Sequence, residues 1–251
     1  MTQALTPDVT NSTPPIDDLG AVSIALETAE PVEVLKWAVE RYSPRLTFAT
    51  GFGPEGCALI DLVGRYNLPI DLFTLDTGFL FPETRKLWVE LEDRYGVTIR
   101  SVSPVQTVDE QAAAHGDKLW ERAPDRCCTL RKVFPLRAEL SKVDAWVTAL
   151  RREQTQERAD AAIVEWDQKF EIAKINPLVR WTKSDVWAYL KAHDVPYNSL
   201  HDKGYPSIGC THCTTAVHNG EDDRAGRWRG TVKTECGLHG PDVPVAQPTI
   251  G

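Results

Sequence analysis

No run in this 251-residue chain approaches the ~18 apolar residues that a helix needs to span a bilayer, which excludes a helical membrane protein. Lys and Arg are absent from the first thirty residues, so the basic start of a secretory signal is missing. Nothing suggests a broad basic surface. The net charge is −8, of which Asp8, Asp17, Asp18, Glu27 and Glu30 place −5 in residues 1–30, leaving −3 for residues 31–251. That balance argues against nucleic acid as a partner, although a pocket for a small anion needs only a few local arginines. The turn-rich segment at 50–56 lacks the Gly-Lys-Ser/Thr ending of a Walker loop. There is no internal repeat.

What remains is an ordinary globular composition, 42% hydrophobic and 25% charged, in a chain long enough for one sizeable core. The acidic, Pro/Thr/Asp-rich residues 1–30 are expected to be a disordered leader, residues 31–213 an α/β domain, and residues 214–251 a mobile C-terminal arm. A cytoplasmic location is expected, where thiols stay reduced and grouped cysteines bind metal.

Periodicity predicts a helix over Pro31–Tyr42, with Val34, Leu35, Ala38 and Val39 on one side. Leu46–Ala49 reads as a buried strand, and residues 50–56 lead into a helix from about Cys57 to Tyr66. A strand over Ile70–Leu75 ends at Asp76-Thr77-Gly78. Pro82 opens a helix to Tyr95 with Leu87, Trp88 and Leu91 as its apolar stripe. Val97–Val102 and Ala145–Leu150 read as further strands, Ile163–Trp166 and Phe170–Ile175 as an antiparallel pair, and Thr182 caps a helix to about His193. Alternating strands and helices argue for a parallel sheet covered on both faces. In such sheets ligands sit beyond the carboxyl ends of the strands, where residues 50–56, 76–78 and 151–158 all fall.

Cysteines carry the sharpest signal. Cys127-Cys128 and Cys210-Thr211-His212-Cys213 form one set, and Cys236 stands apart in Glu-Cys-Gly-Leu-His. Adjacent Cα atoms lie ~3.8 Å apart, which would strain a Cys127–Cys128 disulfide. Four thiolates brought together suit an iron–sulfur cluster, with a zinc ion or redox thiols as alternatives. If Cys128 lies on a helix, Lys132 falls at i+4 and offsets part of that negative charge; the plain alternative is a solvated lysine on the Arg131-Lys132 step. A free thiol with a pKa of ~8.5 is only a few per cent thiolate at neutral pH, so a nucleophile at Cys236 needs positive surroundings. His239 and Lys233 could supply some, whereas Glu235 would oppose it. Cys57 reads as a small core residue.

Glycines at 51, 53 and 56 let backbone N–H groups reach a phosphate, a weak signal by itself. Arg151, Arg152 and Arg158 follow a strand end and suit phosphate or sulfate through bidentate hydrogen bonds. Arg224 and Arg227 would share one face of a helical turn. Solvated basic stretches are the alternative for both groups.

Taken with Leu75-Asp76-Thr77-Gly78, Phe81-Pro82-Glu83-Thr84, Gly204-Tyr205-Pro206-Ser207-Ile208-Gly209 and Lys-Thr-Glu-Cys-Gly-Leu-His at 233–239, the four cysteines resemble the cluster-containing adenylylsulfate reductases of assimilatory sulfate reduction, over about residues 31–240. The resemblance implies a Rossmann-like parallel-sheet fold of the adenine nucleotide alpha hydrolase type. It also implies reduction of adenosine 5′-phosphosulfate to sulfite and AMP, with a [4Fe-4S] cluster on Cys127, Cys128, Cys210 and Cys213. Cys236 would attack the sulfate sulfur to leave an S-sulfocysteine, and thioredoxin or a glutaredoxin-like dithiol would release sulfite. Lys132, Arg151, Arg158, Arg224, Arg227 and His239 match positions that relieve the repulsion between thiolate and phosphosulfate. Arg152 and the two loop segments (Thr50, Gly51, Gly53; Leu75, Asp76, Thr77, Gly78) complete the expected substrate contacts, and a homo-oligomer is expected. The first loop departs from the Ser-Gly-Gly-x-Asp-Ser pattern of related ATP pyrophosphatases. Alternatives from the same reading are the 3′-phosphorylated substrate, an ATP-dependent sulfurtransferase or adenylating enzyme on the same fold, and a zinc-stabilised binding module.

Overall fold

A computed structural model describes residues 16–231, Lys233 and residues 235–238. Six strands form one sheet: β1 (Leu46–Thr50), β2 (Asp71–Leu75), β3 (Ile99–Val102), β4 (Ala145–Val147), β5 (Val164–Asp167) and β6 (Ile172–Ile175), in the order β3-β2-β1-β4-β6-β5. All pairs are parallel except β5 with β6, at one edge. The helices are α1 (Ile16–Leu26), α2 (Pro31–Tyr42), α3 (Pro54–Arg65), α4 (Pro82–Tyr95), α5 (Val108–His115), α6 (Leu119–Arg122), α7 (Pro124–Cys128), α8 (Phe134–Leu140) and α9 (Lys183–Ala192).

Successive side chains of a strand point to opposite faces, and here both faces are apolar. Leu46, Phe48, Leu72, Ala145, Val147 and Ile175 join one core with Val34, Leu35, Leu87 and Leu91. Phe73, Trp146 and Ile172 join a second with Leu136 and Leu140 of α8. Complete burial of a side chain such as Phe48 contributes about 2–3 kcal/mol, so the central strands are where the sheet's stability is concentrated. Strand order reverses between β1 and β4. Their carboxyl ends diverge there and leave a crevice, which positions the site.

Several boundaries move for identifiable reasons. α3 begins at Pro54 rather than near Cys57, because proline fits the first helical position and Gly53 is the N-cap. β3 starts only at Ile99, whose N–H donates to Glu92 Oε1 (2.7 Å). β4 stops at Val147, short of the expected Leu150: its neighbour β6 ends at Ile175, and Asn176 turns its amide onto the Ala162 carbonyl (2.8 Å). α2 and α4 match the expected spans, and Thr182 caps α9 reciprocally with Asp185.

Of the expected leader over residues 1–30, residues 1–15 lie outside the described residues, and the rest departs from the expectation. Residues 16–26 form α1, which packs on β5, with Leu19 buried and Ser23 Oγ accepting from the Val164 N–H (3.2 Å). Arg152 donates to Glu27 (2.7 and 3.2 Å), so the same segment is also clamped by charge. The acidic residues that suggested disorder thus include a salt-bridge partner.

Cys127 and Cys128 sit at the junction of α7 with a π-helical turn, Thr129–Val133, that continues into α8. Pro135 explains the widening. In a regular α-helix its ring would clash with the carbonyl four residues back, that of Arg131. π-turns inside helices recur at functional sites, and this one presents two consecutive thiols to the interior.

Candidate active site

The first loop is set by packing. Phe52 adopts a left-handed conformation (φ 58°), strained for a bulky residue, and is held by burial against Trp88 (ring centroids 5.7 Å). Its N–H donates to Thr50 Oγ1 (3.1 Å). Glu55, in the first turn of α3, accepts from Arg151 Nε (2.8 Å) and from the Gln154 amide (3.2 Å), tying this loop to the 151–158 segment. Cys57 is buried beneath, its thiol pushed up by desolvation, as suits a core residue.

The two cysteine pairs meet. Cys127, Cys128 and Cys210 are buried, Cys213 is half-buried, and none is in a disulfide. Burial pushes Cys127 up to about 12, with further contributions from Cys128, Cys210 and Cys213, and pushes Cys213 up to about 11, with help from Cys210 and Cys128. Burial also raises Cys128, against a lowering pull from Lys132. Thr77 Oγ1 lies 3.4 Å from Cys210 Sγ. Among the described residues no three His, Cys, Asp or Glu side chains are set to hold a single metal ion.

Lys132 is half-buried and lines the cleft, so the solvated-lysine alternative does not hold. Burial would lower its pKa, but Cys210, Cys128 and Cys236 outweigh that and keep the ammonium protonated. Arg131, read from sequence only as half of a basic step, is 4% exposed. It donates from Nε to the Thr77 carbonyl (2.5 Å) and from Nη1 to Gln111 Oε1 (3.1 Å), and stacks on Phe79 (5.1 Å). Nothing in its sequence spacing separated it from a surface arginine.

Two cavities meet beside the strand ends. One, about 250 Å³ and mostly apolar, is bounded by Thr50, Leu75, Thr77, Lys132, Trp146 and Thr148. The other, about 400 Å³ and polar, is bounded by Gly53, Glu55, Arg151, Arg224 and Glu235. Gly51, Arg158, Ile208, Arg227 and Cys236 line both. The arm therefore folds back so that its lone thiol sits where the two spaces join. Its Thr215 N–H donates to the Gly226 carbonyl (2.9 Å), and the Trp228 N–H to that of Cys213 (3.0 Å). Arg227 stacks on Trp228 (4.5 Å), donates to Ser207 Oγ (3.2 Å), and has its Nε buried without a partner among the described residues. A Cβ on Gly209 would clash with the Arg227 guanidinium, which would have to shift to admit it.

Not every expected contact is placed in the cleft. Arg152 turns away to Glu27 and the Ala161 carbonyl, on the α1 side. Asp76 receives the Gly78 N–H (3.0 Å) and Arg85 (3.0 and 3.1 Å), and neither Asp76 nor Gly78 lines either of these two cavities: this segment shapes the turn that carries Thr77. His239 lies outside the described residues. Ser207, Ile208 and Trp228 are site residues whose chemistry the sequence did not single out, although the 204–209 segment was conspicuous as a motif.

Residues 45–216 match the phosphoadenosine phosphosulfate reductase domain. The chain belongs to this reductase family. A Halalkalibacterium halodurans relative named adenosine 5′-phosphosulfate reductase is 46% identical over 223 residues, covering 88% of this chain and 96% of its own. Adenosine 5′-phosphosulfate reductase 2 of Bacillus subtilis is 43% identical over 224 residues, covering 89% and 95%. The crystal structure of a Candida auris phosphoadenylyl-sulfate reductase in a phosphate complex superposes with a TM-score of 0.72 at 33% identity, covering 82% of this chain and 99% of that one. The family's parallel α/β sheet is the sheet described above, with the cysteine junction and the basic cleft at its carboxyl edge.

Proposed function

We propose that this chain reduces adenosine 5′-phosphosulfate to sulfite and AMP in sulfate assimilation, in the cytoplasm, with Cys236 as nucleophile. The observation that carries the reading is the placement of Cys236 at the junction of an apolar and a polar cavity, within a wall shared with Arg158 and Arg227 and beside Lys132. The apolar chamber suits an adenine ring, and the cations at the junction suit a phosphosulfate. The relatives named for this substrate are 43–47% identical, against 33% for the neighbour named for the 3′-phosphorylated one.

In this reading the Cys236 thiolate attacks the sulfate sulfur. The new S–S bond forms as the S–O bond to the phosphate breaks, and AMP departs with that oxygen and its electron pair. Lys132 and the Arg227 guanidinium spread positive charge over the oxygens as negative charge builds on the leaving phosphate. A thioredoxin- or glutaredoxin-like dithiol then attacks Cys236 Sγ and expels sulfite. Its second thiol resolves the mixed disulfide, so the donor's two thiols are oxidised as the sulfur goes from S(VI) to S(IV). The mutual perturbation of Cys127, Cys128, Cys210 and Cys213, with Lys132 beside them, fits a [4Fe-4S] cluster, which when bound supplies cationic iron to offset four thiolates and a fixed charge beside the cleft.

Anaerobically isolated Cys236→Ser tests this. The visible cluster absorption is expected to persist, while sulfite release and an SO₃ mass adduct on Cys236, present in the unsubstituted chain, are both lost. Turnover surviving in the variant removes Cys236 as nucleophile, and competition between the two nucleotides in the sulfite assay decides the substrate.

A further inference from the structure

Glu235, immediately before the nucleophile, looks from sequence like a charge that opposes a thiolate. In the fold that charge is paired. One carboxylate oxygen lies 3.1 Å from Arg158 Nη2 and the other 3.2 Å from Arg224 Nη2, so two guanidiniums flank it. Arg158 is itself held by Gln154 Oε1 (2.5 Å), whose amide donates to Glu55 (3.2 Å), the acceptor of Arg151 (2.8 Å). A continuous polar chain thus runs from the first turn of α3, through the segment after β4, to the arm. On the other side of Cys236, Gly237 takes a positive φ (80°) and its carbonyl accepts from Lys169 Nζ (2.5 Å). Lys233 pairs with Asp125 on α7, the helix of Cys127 and Cys128. Leu238 is partly buried against the second core.

The nucleophile is therefore bracketed by polar tethers to separate parts of the fold. The double bridge of Glu235 lies one residue from Cys236, as does the Gly237 contact, and is the only one of these that reaches the cleft's own arginines. We infer that Glu235 is a positioning residue: its carboxylate clamps the arm to Arg158 and Arg224 so that Cys236 faces the cavity junction, leaving Lys132 and Arg227 to meet the substrate's charge. Arg158 and Arg224 thereby act first on the arm rather than on the nucleotide. This inference rests on the proposed reaction at Cys236.

The test uses the full-length, iron-loaded chain and its Glu235→Gln, Glu235→Asp and Arg224→Gln variants. Alkylation of Cys236 by neutral iodoacetamide is followed by peptide mass spectrometry, alongside kcat and KM for adenosine 5′-phosphosulfate. Glu235→Gln is expected to alkylate about tenfold faster and to lose about tenfold in kcat, with KM changed by less than about threefold, as loss of a charge-assisted contact to the arm predicts. Arg224→Gln reproduces the faster alkylation, Glu235→Asp restores slow alkylation in part, and rising salt accelerates alkylation of the unsubstituted chain. Unchanged alkylation in Glu235→Gln overturns the clamp. So does a fall in KM with kcat kept or raised, which would make the carboxylate a plug that competes with substrate. Failure of the reaction itself is read separately, as absence of the SO₃ adduct on unsubstituted Cys236, since the alkylation comparison needs no substrate.

Discussion

Arg131→Met isolates what a buried guanidinium does beneath the cysteines. Methionine keeps the apolar stem but removes the Nε donation to the Thr77 carbonyl and the Nη1 donation to Gln111 Oε1. Each acceptor left unpaired in the interior costs about 1–3 kcal/mol. Working the other way, the guanidinium is itself penalised, since burial lowers its pKa despite the attraction of Cys127, Cys210 and Asp76, and methionine escapes that penalty. A net loss of about 2–3 kcal/mol follows, which for a chain of this size lowers Tm by about 5–10 °C. The damage should reach the cysteines, because the Thr77 carbonyl belongs to the residue whose hydroxyl touches Cys210. Thermal unfolding by circular dichroism and iron per chain after identical anaerobic loading are the two readouts, and both should fall. Arg131→Lys, which keeps the charge but loses the planar fork, should lie between. A Tm within about 2 °C of the unsubstituted chain and undiminished iron would refute the reasoning.

Arg152→Ala should leave KM for the nucleotide within about twofold and cost at most about 1 kcal/mol, because Arg152 pairs with Glu27 in a partly exposed bridge on the α1 side; a KM rise of tenfold or more would return it to the cleft. Asp61→Asn should cost about 2 kcal/mol near neutral pH, since this carboxylate, 1% exposed, accepts from Arg65 (2.8 Å) and Tyr189 (2.5 Å) between α3 and α9. Burial raises the Asp61 pKa, but the hydrogen bonds from Arg65 and Tyr189 outweigh it and the folded value is lowered. The stabilisation is therefore present above the unfolded aspartate value of about 3.9 and lost as pH falls through the lower folded one, so the Tm gap between the two proteins should narrow below about pH 4; a gap constant from pH 7 to pH 3 would contradict the assignment.

What could be read without coordinates was whatever is encoded locally. Prolines at the first helical position placed the starts of α2 and α4, and Thr182 with Asp185 placed that of α9, because each satisfies or spares an orphan N–H within one turn. Cys57 was legible as core from its helical neighbours, and the loops at strand ends from the alternation of elements. The misreadings share a different cause. The acidic sequence of α1 predicts a leader, and its reason to fold, the β5 edge and Arg152, lies more than a hundred residues away. Arg151 and Arg152 are neighbours of one chemistry, yet one turns to Glu55 and the other to Glu27. The pairing of Glu235 is hidden for the same reason: a carboxylate beside a thiol is repulsive by adjacency, but in the fold it sits between the guanidiniums at positions 158 and 224. A charged side chain is defined electrostatically by its partner, and in this cleft Glu55 and Glu235 each meet a guanidinium from another segment. The grouping of the cysteines was therefore visible in the chain, whereas the pairing of Arg158 and Arg224 with Glu235 exists only once the sheet has brought those segments to one edge.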